Sequence, residues 1–382
     1  MIRLLFLWLA LVTLALPAGA ITVGAAQPDN YLPLLQNKRV AAVVNQTSQT
    51  SDAHLVDFLL NQNINVIKVM APEHGFRGQQ AAGETVIDNM DTKTGLPVVS
   101  LYGKNKKPSP DMLSDVDILL FDIQDVGARF YTYISTLHYV MEAAAEHGVE
   151  VLVLDRPNPN GAFIDGPVRQ PGFASFVGMD PLPLLHGMTV AELARMIKGE
   201  RWINAAEALT LHTVPVADYT RTMPVRLPIA PSPNLPNPAA IRLYPSLCLF
   251  EATSVSVGRG TEYPFQLIGH DKIRLGDLTI TPQSRPAAPS PKLEGAQLMA
   301  RDLRRSTLAG FDISLLISTY QQFTEAGETF FTHPDFFDKL AGTDALRKAI
   351  VAGQSAQQIE QQWKADLDAF KQRRAAYLLY PE

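Results

Sequence analysis

The chain has 382 residues, 33 Lys and Arg against 38 Asp and Glu, a formal net charge of −5, and one cysteine. A mildly acidic balance leaves no electrostatic footprint for nucleic acid. A single cysteine excludes an internal disulfide framework, so a hydrophobic core must hold the fold.

The first segment reads as a leader. Met1-Ile2-Arg3 is a positive n-region, Leu4 to Leu16 an apolar stretch, and Ala18-Gly19-Ala20 a small-residue cleavage motif. That is the layout of a secretory signal peptide over residues 1–20, and its apolar stretch is short for a membrane span of about 20 residues. No cysteine lies near the cleavage point, which argues against a lipoprotein. Loss of Arg3, with no acid in residues 1–20, takes the net charge from −5 to −6. The expected location is periplasmic or secreted, with no stable membrane insertion after cleavage. The remaining chain of about 360 residues can bury a large core, as one large domain and a smaller one.

From residue 39 apolar β-branched runs alternate with helical patterns. "RVAAVVNQ" (39–46), "INVIKVMA" (64–71), "LPVVSLY" (96–102), "VDILLFD" (116–122) and "VEVLVLD" (149–155) read as strands. "DAHLVDFLLNQ" (52–62) and residues 130–147 read as helices. Continuous apolar strands separated by helices predict a Rossmann-like, mostly parallel sheet with helices on both faces. No G-x-G-x-x-G follows the first strand, so nothing points to a nucleotide. "MTVAELARMIKGE" (188–200) predicts a helix with Thr189 as N-cap and Glu192 at capping-box spacing.

Two proline-rich passages follow. In 227–246 the prolines are expected to forbid regular structure over most of the length, and such a segment suits a functional wall. The second, 281–295, reads as a surface connection, and 357–382 as an amphipathic helix ending in an apolar strip. Lys104, Lys106 and Lys107, set among Gly103, Pro108 and Pro110, read as a solvated loop. Cys248, in "SLCLFEA", reads as a small buried side chain. The expected domains are 21–265, Rossmann-like, and 266–382, a smaller α+β domain.

Ligands of an open parallel sheet bind beyond the carboxyl ends of its strands. Those ends carry Asn45-Gln46, then Glu73-His74 with Arg77, then Asp122, Gln124 and Asp125, then Asp155-Arg156 and Asn158. Each could instead cap a helix, pair internally or make a turn; together at one edge they predict a polar cleft. Further along stand Asp165, His186, Asn234, Glu251, Arg259 and Glu262, with Arg259 between two glycines that allow close backbone approach. The chain has no H-E-x-x-H, no Cys/His cluster, no G-x-S-x-G elbow and no P-loop, so zinc, serine and nucleotide chemistries find no support. Carboxylates, amides, arginines and aromatics such as Phe76, Phe130, Tyr131 and Tyr133 suit a carbohydrate. Hydrolysis of a glycoside needs two carboxyl groups, one of which protonates the leaving oxygen.

"APEHGFRG", "FDIQDVGARFYTYISTL", "VLDRPNPNG", "HGMTVAEL" and "LFEATSVSVGRGTEYPFQLIG" resemble, in order, the NamZ-type exo-β-N-acetylmuramidases, glycoside hydrolase family 171. The resemblance runs from about residue 30 to the C-terminus. It implies a small C-terminal domain closing the cleft and release of non-reducing-terminal N-acetylmuramic acid from peptidoglycan fragments, with no cofactor and no metal. The lactyl carboxylate of that sugar suits an arginine, for which Arg129, Arg156 and Arg259 are candidates. Glu73 is the expected general acid, because apolar Met70 and Phe76 beside it would keep a carboxyl protonated. Glu251 is favoured as the second carboxyl, then Asp125, with Glu84 a rival for either role. The alternatives are a non-catalytic exported muropeptide-binding protein and, less supported, an amidase acting on the stem peptide.

Overall fold

The computed structural model describes residues 21–77 and 89–382, so the leader and Glu84 lie outside the described residues. The large sheet comprises Val40–Val44 (β1), Val66–Ala71 (β2), Asn89–Met90 (β3), Pro97–Ser100 (β4), Ile118–Asp122 (β5), Glu150–Leu154 (β6) and Leu211–Val214 (β7). Its order is β3-β4-β2-β1-β5-β6-β7, and every pairing is parallel except that of edge strand β3 with β4. The sheet is therefore mostly parallel, as the apolar runs predict. β3 is too short, and Leu211-His-Thr-Val214 too polar, to show as such a run.

Both faces are covered. Leu119 and Phe121 of β5 point into one core cluster while Ile118 and Leu120 point into the other. The helix Tyr133–His147 buries Leu137, Val140, Met141 and Ala144, one stripe at helical spacing, and stops at Gly148 with φ of +68°. The helix Val190–Gly199 has the predicted capping box: Thr189 Oγ1 accepts from Glu192 N–H at 3.5 Å, and the Glu192 carboxylate accepts from Thr189 N–H at 2.9 Å.

The proline-rich passage departs from expectation. Nearly half of it lies in a helix, Pro238–Leu247, capped by Asn237 and carrying Pro245 inside. Pro238 occupies a first-turn position whose N–H has no intrahelical acceptor. Pro245 cannot donate to the Ile241 carbonyl, which instead accepts from Asn160 Nδ2 at 3.4 Å.

Beyond it, Leu267–His270 (β8), Leu278–Ile280 (β9) and Leu298–Asp302 (β10) form a small antiparallel sheet of order β8-β10-β9. The helices Ser314–Glu325, Pro334–Ala341, Ala345–Val351 and Ala356–Arg374 follow. The chain then returns to the large sheet. Tyr380 is buried, its hydroxyl donating to the Asp155 carboxylate and accepting from Val216 N–H. Arg221, 2% exposed, clamps the Glu192 carboxylate at 2.9 and 2.5 Å and reaches the Tyr380 carbonyl at 3.1 Å. No helix of the described residues is long and apolar enough to cross a membrane.

Removing one partner of a buried ion pair strands the other charge, at a cost of about 3–5 kcal/mol. Arg221→Met should lower unfolding stability by that amount, read as a shift of the denaturant midpoint, because the Glu192 carboxylate keeps only backbone donors.

Candidate active site

The apolar run of β2 ends at Pro72, and a tight turn follows in which His74 has φ of +70° and Gly75 of +73°. A non-glycine residue in that region is uncommon and marks a backbone held by its surroundings. The turn presents Glu73 sideways. Its Oε1 accepts from the Tyr102 hydroxyl at 3.0 Å, its Oε2 from Thr132 Oγ1 at 3.0 Å, and its backbone carbonyl from the Tyr133 hydroxyl at 3.3 Å. This corrects the expected apolar setting. Met70 is inside the core, and Phe76 packs on His54 and under the Arg77 guanidinium. Burial, with Glu73's charge adding, pushes the Tyr102 and Tyr133 hydroxyls up, so both remain proton donors.

Glu73 stands where two hollows meet. One is a recess of 70 Å³ walled by His74, Tyr131, Asn234, Tyr244 and Phe265, with Arg259 at its side. Here His74 Nε2 lies 3.3 Å from Ser232 Oγ, the Tyr131 hydroxyl donates to the Pro231 carbonyl at 2.7 Å, and Asn234 Nδ2 donates to the Ala287 carbonyl at 2.8 Å. The other is a cleft of 790 Å³ that shares Glu73, Thr132 and Arg259 with the recess and adds Tyr102, Lys106, Phe176, Glu251 and Lys292. Phe336, 41% exposed, faces it from the small domain. Residues Ala287 to Lys292 line it as well, so the second proline cluster is a cleft wall and not only a surface connection.

Glu251 lies in the short 3-10 turn Cys248–Ala252 and takes Arg259 bidentately, Nε to Oε1 at 2.6 Å and Nη2 to Oε2 at 2.9 Å. Arg259 also sits 4.9 Å over the Phe265 ring. Lys292 fastens that turn. Its ammonium donates to the carbonyls of Phe250, Glu251, Thr253 and Val255, and desolvation, opposed by Glu251, pulls it down to about 8. Cys248 is buried in the same turn, where burial pushes its thiol up.

Of the residues picked from the sequence, Glu73, His74, Tyr131, Asn234, Glu251 and Arg259 come together around this cleft. The rest are committed elsewhere. Arg129 is fully buried, donating to the carbonyls of Pro167 at 2.8 Å, Leu182 at 2.7 Å and Leu340 at 2.9 Å; it bolts the small domain to the large one and cannot meet a substrate carboxylate. Arg156 is buried in a bidentate pair with Asp122, at 2.5 and 2.8 Å. Asp155 accepts from Thr189, Ala191 and Tyr380. Asn158 Nδ2 donates to the Met188 carbonyl at 2.9 Å, and Asp165 accepts from Gly166 N–H and Trp363 Nε1. Asn45 holds Thr47 through its side-chain oxygen, and Gln124 donates to the carbonyls of Asp125 and Pro157. Arg77 pairs with Asp91 at 2.9 Å, and Glu262 is exposed and lines neither hollow.

A third hollow, of 410 Å³, has Gln124, Arg156 and Thr47 among its lining residues, all with polar groups already bonded within the protein. Gln46 Nε2 donates to the carbonyls of Ala230 and Pro231, so the proline-rich passage runs as a strap beside the recess.

The sequence reading missed Tyr102, Thr132, Lys106, Ser232, Phe176 and Lys292 as cleft residues. A signal existed for the first two. Tyr102 ends the third predicted strand, and Thr132 lies between Tyr131 and Tyr133, both picked as sugar-packing aromatics.

Asp125 is the clearest correction among the acids. It is 3% exposed, its Oδ2 accepts from Gly127 N–H at 2.6 Å, and its Oδ1 has no hydrogen-bond partner. Gly127 has φ of +79°, and a Cβ there would meet Asn158 Oδ1 at 2.3 Å, so the loop beneath Tyr131 and Thr132 requires glycine. Beside Asp125, His186 Nδ1 accepts from Met188 N–H, and its Nε2 lies 3.8 Å from Asp125 Oδ2. Burial lifts Asp125 to about 7 and lowers His186 to about 3. A raised carboxyl stabilises the fold while protonated, below its ordinary value, and loses that contribution as pH rises towards the folded value. Asp125's own contribution should therefore fall between pH 3.8 and about 7, by at most about 4 kcal/mol, while His186, held neutral by burial, contributes a slope of opposite sign up to its ordinary value of 6.5. The stability of wild type relative to Asp125→Asn should accordingly fall from acid to neutral pH, as measured by chemical denaturation of both proteins.

Comparison with known proteins agrees with this geometry. The family model described as exo-beta-N-acetylmuramidase NamZ, N-terminal, matches residues 40–239, and its C-terminal counterpart matches residues 242–380. The peptidoglycan beta-N-acetylmuramidase NamZ of Bacillus subtilis (strain 168) is 39% identical over 405 aligned positions, covering 95% of this chain and 96% of that protein. Among solved structures, one DUF1343 family protein of Bacteroides fragilis NCTC 9343 is 42% identical with a TM-score of 0.86, covering 95% of this chain and 100% of the other. A second from that organism is 30% identical with a TM-score of 0.80, covering 94% and 99%. With both family models in register over one continuous fold, the chain belongs to the exo-β-N-acetylmuramidase NamZ family.

Proposed function

We propose that the protein is an exo-acting glycoside hydrolase that releases non-reducing-terminal N-acetylmuramic acid from peptidoglycan-derived muropeptides or disaccharides. The observation that carries this reading is the position of Glu73, a carboxyl lining both the recess and the open cleft. A wide cleft that narrows to a small recess suits a chain end, and aromatic walls with Asn234 suit an N-acetyl sugar. Family membership supports the same substrate class.

In this mechanism Glu73 gives its proton to the glycosidic oxygen as the bond from that oxygen to the anomeric carbon breaks. The leaving sugar departs as an alcohol, positive charge develops across the anomeric carbon and ring oxygen, and water adds at that carbon as its proton passes to a carboxylate of the cleft. Tyr102 and Thr132 fix the carboxyl's orientation. Glu251, set in the same cleft by Arg259 and Lys292, is the second carboxyl. The leader pattern in residues 1–20 supports export to the periplasm or beyond, where murein fragments arise.

Purified residues 21–382 should release chromophore from a β-N-acetylmuramide and not from the matching β-N-acetylglucosaminide. Glu73→Gln should lower kcat by about 10²–10⁴-fold, the usual worth of a positioned acid, whereas Asp125→Asn should stay within about tenfold of wild type because Asp125 has no route to the substrate. Binding of muropeptides with no release from either glycoside would make the protein a muropeptide-binding protein instead.

A further inference from the structure

The reading above needs a partner for the lactyl carboxylate, which distinguishes muramic acid from glucosamine. The arginines do not supply one. Arg129 and Arg156 are buried and bound within the protein, to backbone carbonyls and to Asp122, and Arg259 spends Nε and Nη2 on Glu251. Among the described residues the cleft is lined by two further cations, Lys106 and Lys292. Lys292 points inward at four carbonyls.

Lys106 differs from both and from its neighbour. Lys107 is paired with Glu142 and Glu146, at 2.9 and 2.6 Å. Lys106 makes no ion pair among the described residues; its ammonium rests 4.5 Å over the Phe176 ring. That ring is anchored, stacked on Tyr139 at 6.3 Å and 15° and tilted against Tyr102 at 6.2 Å. Tyr102 in turn donates its hydroxyl to Glu73. One tyrosine therefore connects the acid proposed to protonate the glycosidic oxygen with a half-buried aromatic shelf carrying an ammonium. A pyranose packs its C–H face on such a shelf, and a lysine over an aromatic ring keeps its donors for an anion. The solvated-loop reading of residues 104–107 fails at Lys106 for this reason.

Resting on the proposed muramidase activity, we propose that Lys106, seated on Phe176, binds the carboxylate on the lactyl arm of the muramic sugar and so sets the preference for muramides over glucosaminides. The test compares three glycosides with wild type, Lys106→Met and Lys106→Arg: the β-N-acetylmuramide, its lactyl methyl ester, and a muramide bearing a stem peptide. Lys106→Met should raise KM for the free acid about tenfold with kcat unchanged and leave the ester's KM where it is; Lys106→Arg should restore most of the loss. Equal KM values for wild type and Lys106→Met on the free acid would overturn the proposal. So would parallel losses on acid and ester, which indicate lost packing, or a loss confined to the peptide-bearing muramide, which puts the carboxylate on the stem. Calorimetric titration of N-acetylmuramic acid and its methyl ester into the same variants needs no turnover, so it reads Lys106 even if wild type hydrolyses nothing, the result that would sink the muramidase reading itself.

Discussion

A buried polar group must have a partner, and at the carboxyl edge of this sheet that requirement sorts structure from chemistry. The parallel arrangement delivers an acid, amide or base from strand after strand to one edge, and the loops there are largely buried. A charge or amide left unpaired in that setting costs several kcal/mol. Asp122 takes Arg156, Asp155 takes Thr189 and Tyr380, Asn158 takes the Met188 carbonyl, and Arg129 takes three carbonyls. Glu73 is treated differently. The turn after β2 leads it out between hydroxyl donors that position it at the meeting of recess and cleft.

The same requirement joins the two domains. Arg129 reaches across to the Leu340 carbonyl, the last turn of a helix, where a cation also meets the negative end of the helix dipole. The C-terminal segment closes a second bond, with Tyr380 on Asp155 and Arg221 between Glu192 and the tail. These contacts are far from neutral in energy, and they hold Phe336 and the 287–292 wall at a defined distance from Glu73. Lys292 extends the logic to the turn that bears Glu251. Four backbone carbonyls of a 3-10 turn and its exit are gathered on one ammonium, which fixes the Glu251–Arg259 pair at the cleft wall.

The aromatic content follows from the ligand. Tyr131, Tyr133, Tyr244 and Phe265 pack edge to face at 5.0 to 5.9 Å behind the recess, a rigid aromatic wall in which the Tyr131 and Tyr133 hydroxyls are held by the Pro231 and Glu73 carbonyls. Phe176, Tyr102 and Lys106 form a second surface at the cleft mouth. A carboxyl where recess and cleft meet and a cation on an aromatic shelf give the cleft opposite charges at two places along its wall.

The sequence by itself determined the architecture. Five of the seven strands read as apolar β-branched runs, the capping box of Thr189 and Glu192 marked its helix start, and the motifs around Glu73, Thr132 and Arg259 marked the family, because these depend on local pattern and order alone. Only the tertiary structure decided which polar side chains work at the surface of the cleft. Asp125 and Glu73 leave the ends of β5 and β2, the two strands that flank β1, with similar surroundings in sequence. One is sealed beneath a glycine turn next to His186, and the other is turned outward by His74 and Gly75. Lys106 and Lys107 are adjacent, yet one meets two glutamates of the helix Tyr133–His147 and the other meets Phe176. The physical reason is that a side chain's partner comes from segments distant in sequence. Local pattern sets where a strand ends, and only packing sets what waits there.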